Sequence, residues 1–181
     1  MSDFIALLNN TLSIYLRDLE MMVNTDCGTY SKAGVDTIAQ RMRERMREFG
    51  AQVIDFPQDK YGDMLYGYWR GKGTARIVLI GHMDTVYSDG TVKQFSFRRL
   101  AGHALGPGVN DMKAGLLSGL YALNAVIQSG FDQFAEIGLF CNSDEEIGSP
   151  ISRQIYPQYA CGADAAREFV GCRRCGVGEN D

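Results

Sequence analysis

Two short runs, Ile77-Val78-Leu79-Ile80 and Ile137-Gly138-Leu139-Phe140-Cys141, constrain this chain most. Each is apolar at successive positions and each is followed within two residues by polar, chemistry-bearing ones. Runs of that length read as buried strands. Segments with helical spacing surround them. Phe4 to Val23 carries Ile5, Leu8, Leu12, Tyr15, Leu16 and Leu19 as the apolar stripe of an amphipathic helix. A second helix is predicted over Val35 to Phe49, with Gly50 placed to end it, and a third over Met112 to Gln128. Asn24 to Lys32, with Gly28 inside it, reads as a loop; Val53 to Phe56 is a short strand closed by Pro57; Pro150 to Tyr159 begins a further short helix. Met64 to Trp69 and Arg76 to Ile80 read as strands joined by a hairpin turn at Gly71-Lys72-Gly73. That turn is not a phosphate loop, because position 66 is Tyr and Gly73 follows the lysine where Ser or Thr belongs. Helices alternating with apolar strands give the expected fold class: an α/β three-layer sandwich around a mixed, mostly parallel sheet.

Composition excludes several functions. The chain has 181 residues, 45% hydrophobic and 22% charged, which suits a globular domain and not a disordered one. A net charge of −4 argues against a nucleic-acid partner. The nearest basic stripe, Arg41, Arg43, Arg45 and Arg47, is interrupted by Glu44 and Glu48 and reads as a solvated helix face. No run of about 18 apolar residues exists to span a membrane, and the N-terminus has no signal-peptide pattern. Five cysteines, three of them at positions 161, 172 and 175, suggest free thiols in a reducing cytoplasm.

Three constellations sit past strand ends or at a helix start, where open α/β sheets place their sites. In Gly81-His82-Met83-Asp84, extended chain would project His82 and Asp84 to one side, an arrangement suited to a ligand imidazole held by a carboxylate. The plain alternative is a strand-end histidine bonded to its neighbour. In Gly106-Pro107-Gly108-Val109-Asn110-Asp111, two glycines and a proline shape a turn that brings Asp111 to a helix mouth. There it could cap the helix or bridge two cations. In Asn142-Ser143-Asp144-Glu145-Glu146, consecutive acids follow a buried strand and call for a compensating positive charge, or else form a solvated loop. Adjacent side chains cannot share one target atom, so Glu145 and Glu146 suit different tasks, one ligand and one proton carrier. Together the three favour a nitrogen-and-oxygen ligand set for Zn2+.

GHMDTV, GPGVNDMKAG and NSDEEIGS, in this order over roughly Met1 to Pro157, resemble the motifs of metallopeptidase family 20, and its glutamate carboxypeptidase branch most. The resemblance implies a zinc-dependent exopeptidase fold and hydrolysis of an amide bond in small peptides or N-acyl amino acids. It implies two zinc ions, replaceable by Co2+ or Mn2+, and a dimer in complete members. His82 would be a ligand of one zinc with Asp84 as its orienting partner; Asp111 would bridge both metals. Glu145 would be the general base and Glu146 a ligand of the other zinc.

The pattern also departs from the family. A further acidic ligand is expected near position 170, which is Val, with Glu168 two residues early; a late histidine ligand has no match, since His103 reads as a surface hairpin residue. The expected division is therefore 1–160 as the N-terminal part of a catalytic domain and 161–181 as a divergent, frame-shifted tail, without the family's lid and dimerisation domain. A cysteine metal knuckle in that tail lacks a fourth ligand. A non-catalytic remnant serving as a binding module is the competing reading. A nucleophilic α/β hydrolase is disfavoured by the absence of a Gly-x-Ser-x-Gly elbow.

Overall fold

The computed structural model describes residues 2–160 and 162–168. The two apolar runs form β3 (Arg76–His82) and β6 (Glu136–Asn142), which lie parallel with Ile77 level with Ile137 and His82 level with Asn142. On its other side β6 pairs antiparallel with β2 (Met64–Arg70), which pairs antiparallel with β1 (Gln52–Phe56). The far edge is β7 (Ala165–Glu168), parallel to β3. The described sheet thus has the order β1-β2-β6-β3-β7 and is mixed, with its parallel pairings gathered around β3.

Alternation along the central strands divides the core in two. Leu139 and Cys141 of β6 face α1 (Ser2–Val23), α2 (Lys32–Glu48) and α4 (Ala114–Gln128), in a cluster with Leu19, Met22, Ile38, Met42, Leu116 and Leu120. Phe140 of β6, with Val78 and Ile80 of β3, faces the other way. There it meets α5 (Ser152–Ile155) and α6 (Pro157–Ala160) through Ile155 and Tyr159. Two helical layers enclosing one sheet make the expected sandwich. Each of these large side chains contributes about 1.5–3 kcal/mol by leaving water.

Several local expectations change. Gly71-Lys72-Gly73 is not a hairpin turn, because β6 stands between β2 and β3. The glycines serve a close crossing: Lys72 N–H donates to Asp132 O at 2.7 Å and Gly73 N–H to Phe134 O at 3.0 Å. A Cβ on Gly73 would lie 2.4 Å from the Gln133 carbonyl carbon, so only glycine fits that approach. The arginines of α2 do not share a solvated face. Residues two apart point to opposite sides of a helix, so Arg41 and Arg45 turn inward to the buried Asp18, while Arg43 pairs with Asp55. On α1 only the later part of the stripe packs; Ile5, Leu8 and Leu12 are exposed.

The hairpin of β4 (Arg98–Leu100) and β5 (His103–Leu105) follows the short α3 (Thr91–Gln94), and carries His103 at the surface as expected. Cys27 and Cys141 are buried free thiols; Cys161, Val170, Cys172 and Cys175 lie outside the described residues. Among the described residues no helix is long and apolar enough to cross a membrane.

Candidate metal centre

The site gathers where β3 and β6 end. His82, the last residue of β3, is 3% exposed. Its Nδ1 lies 3.0 Å from the Asp84 carbonyl oxygen and 3.4 Å from Asp84 Oδ1. A carbonyl can only accept, so Nδ1 carries the proton and Nε2 is the nitrogen available to a metal. Nε2 faces Asp111 Oδ1 at 3.0 Å and Glu145 Oε2 at 3.9 Å. Ligand atoms of His82, Asp111 and Glu146 lie within 4.8 Å of one another.

Asp111 reaches this point through an irregular turn, Val109–Lys113, entered through Gly108 at φ +70°. Asp111 has φ −130° and ψ 99°, and α4 begins only at Ala114, two residues later than the periodicity predicts. The helix-cap alternative for Asp111 fails: Lys113 stands at the cap position and no side chain caps the helix. Lys113 is itself buried, and its ammonium donates to Thr25 O at 3.2 Å, tying the turn to the α1–α2 loop.

The acidic segment is pinned on both sides. Ser143 Oγ donates to Gly62 O at 2.5 Å, and buried Asp144 accepts from Ile151 N at 2.7 Å and Ser152 N at 3.2 Å. The turn Glu145–Ile147 is thereby presented toward His82. Asp84, 1% exposed, connects the parts. Its carboxylate accepts the Thr29 hydroxyl at 2.6 Å and the amides of Glu145 and Glu146 at 3.3 Å each. The five residues singled out in the sequence therefore converge on one place. Thr29, Lys113 and Asp144 were not singled out; a polar loop residue, a lysine inside a motif and one acid among three carry no periodic signal.

The electrostatics favour a cation. Burial pulls the His82 imidazole down, but the hydrogen bond and charge of Asp84, the Asp111 contact and the Glu145 charge lift it to about 9. In the metal-free protein a proton thus occupies the place a cation would take. Burial also raises the Glu146 carboxyl, with His82 opposing and Asp111, Asp84 and Glu145 adding to the rise. One imidazole nitrogen among carboxylates is a donor set that a borderline divalent metal fits.

A pH dependence follows. A folded pKa of about 9 against 6.5 means the charged His82 stabilises the metal-free fold fully below pH 6.5, and that contribution disappears as pH rises through 9. Urea unfolding of chelator-treated protein should lose roughly 3 kcal/mol across that window, and His82→Gln should flatten the profile. An equally steep loss in the variant would remove His82 as its source.

The sequence profile of peptidase family M20/M25/M40 matches residues 78–177. Carboxypeptidase G2 of Pseudomonas sp. (strain RS-16) is 30% identical over 156 residues, covering 85% of this chain and 38% of that protein. Human carnosine dipeptidase 1 superposes with a TM-score of 0.73 at 14% identity, covering 92% of this chain and 40% of that one. An M20 family metallo-carboxypeptidase from Sulfolobus solfataricus superposes with a TM-score of 0.73 at 15% identity, covering 86% and 37%. The chain spans less than half the length of each of these relatives.

Proposed function

Because the chain belongs to peptidase family M20/M25/M40, we propose that its site serves metal-dependent hydrolysis of an amide bond, releasing a C-terminal glutamate or other amino acid from small peptides or N-acyl amino acids. The observation that carries this reading is the convergence of His82 Nε2, Asp111 and Glu146 within 4.8 Å, with Glu145 beside them. The likeness to carboxypeptidase G2 supports release of a C-terminal residue.

His82, Asp111 and Glu146 are the proposed ligands, and the mixed nitrogen and oxygen donors suit Zn2+, with Co2+ or Mn2+ as substitutes. Asp111, with two carboxylate oxygens, would serve both ions of a pair. A zinc pair held there would supply Lewis acidity for the scissile carbonyl and lower the pKa of water toward neutrality. Glu145 takes the proton of the attacking water and delivers it to the departing nitrogen. The Asp84 carbonyl accepts from Nδ1 of His82, with the carboxylate beside it, so that Nε2 keeps its lone pair for the ligand role, and the carboxylate anchors the amides of Glu145 and Glu146. The buried thiols Cys27 and Cys141 suit a reducing, cytoplasmic setting.

The test is elemental analysis of the purified, monodisperse chain beside an assay on N-acyl glutamates and dipeptides. Uptake of zinc with turnover is the expected result. Zinc without turnover would leave a metal-binding protein with no catalysis, and a chain that takes up no divalent metal would end the proposal.

A further inference from the structure

We propose that Thr29 is a positioning residue of the metal centre. Its hydroxyl fixes the Asp84 carboxylate, and through it both the His82 imidazole and the Glu145–Glu146 turn. The inference rests on the metal reading above and extends it to the α1–α2 loop, a segment otherwise without chemistry.

Four contacts meet at the Asp84 carboxylate, and they are unequal; His82 Nδ1 is held besides by the Asp84 carbonyl at 3.0 Å. The Thr29 hydroxyl is 2.6 Å from Oδ2, whereas the amides of Glu145 and Glu146 stand at 3.3 Å and His82 Nδ1 at 3.4 Å from Oδ1. The three long contacts come from the groups that need placing. The short one comes from a side chain outside the candidate ligand set, and an O–H to carboxylate bond of that length is of the strong, charge-assisted kind.

Thr29 is well built to serve as the fixed end. It is 4% exposed, its N–H donates to Thr85 O at 3.2 Å, and Thr85 N–H donates to Cys27 O at 3.0 Å. Gly28 and Thr85 form a parallel bridge, which locks the loop against the strand end carrying His82 and Asp84. The β-branch of threonine further restricts its side-chain rotation. Without that donor the carboxylate keeps only its long contacts, which leave its rotation loosely set. The acidic turn then loses its reference, and the imidazole keeps only its 3.0 Å bond to the Asp84 carbonyl.

The test compares Thr29→Val, which keeps the shape and removes the donor, with Thr29→Ser, which keeps the donor. Two readouts are needed: the imidazole 15N–1H signals of His82, and Co2+ titration of the full chain. The protein has two histidines, so His103→Gln assigns the His82 signal. The expected result is a shifted and water-broadened Nδ1–H signal in Thr29→Val, with Co2+ affinity weakened about 10–100-fold and both restored in Thr29→Ser. If Thr29→Val does not fold, Thr29→Cys, a much weaker donor, takes its place with the same expectation. An unchanged His82 signal and unchanged affinity in a folded variant would overturn the proposal. A wild-type chain that binds no Co2+ refutes the metal reading alone, and the imidazole signal still decides the role of Thr29.

Discussion

Asp18→Ala is expected to unfold with about 3–5 kcal/mol less free energy than the parent chain. Asp18 is 1% exposed on α1, and its carboxylate accepts from Arg45 Nε at 2.8 Å, Arg41 at 2.8 Å and the Tyr121 hydroxyl at 2.7 Å. Those donors belong to α2 and α4, so one carboxylate joins three helices. Arg41 is more exposed and can turn toward water, but the Arg45 side chain is only 10% exposed and would keep its charge with poor compensation. Its remaining anionic contact is Glu48, at the surface. Burial alone would raise the Asp18 carboxyl, yet Arg45, Tyr121 and Arg41 outweigh it and hold the group below its ordinary 3.8. The sign follows: this stability is present above pH 3.8 and is lost as pH falls through the lower folded value. Urea denaturation should therefore separate variant and parent at neutral pH and bring them together in strong acid. A loss below about 1 kcal/mol at neutral pH, the scale of an exposed pair, would show that the network contributes little.

Asp111→Asn should leave the fold standing and remove most of the metal affinity, by at least about 100-fold, beyond the usual effect of an outer-shell change. The side chain is 65% exposed and caps no helix, so its replacement costs the fold little. Its carboxylate oxygen nevertheless faces His82 Nε2 at 3.0 Å, and the amide offers one neutral oxygen in place of two that share a charge. Thermal melts provide the check. Free zinc at 100 times its dissociation constant stabilises a folded protein by about 2.7 kcal/mol, so the parent's melting temperature should rise with added zinc while that of Asp111→Asn stays flat. An equal rise in both would remove Asp111 from the ligand set.

The sequence revealed elements more readily than pairings. Strands at Ile77 and Ile137 were legible because continuous apolar runs of that length have few alternatives, and α2 was legible from Val35, Ile38, Met42 and Met46. The partner of β2 was not, because Gly71-Lys72-Gly73 is a strong local turn signal while the strand that intervenes comes more than 60 residues later. Arg45 was misplaced because charge alternation describes a helix surface only when nothing buried and acidic lies beneath it; Asp18 does. In the site, motif residues could be chosen from type and order. Thr29 could not, since its importance comes from a hydrogen bond across 55 positions.

The place of β6 between β2 and β3 also sets a schedule for synthesis. A ribosome that has released residues 1–130 has delivered β1, β2 and β3 but not the strand that joins them. The hairpin of β1 and β2 can pair at once, but β3 must wait for β6 to pair with it, and its Val78 and Ile80 for the helices that follow β6. The late strand both joins β2 to β3 and carries the acidic turn behind it, so the strand end bearing His82 meets its acidic neighbours only once β6 is in place.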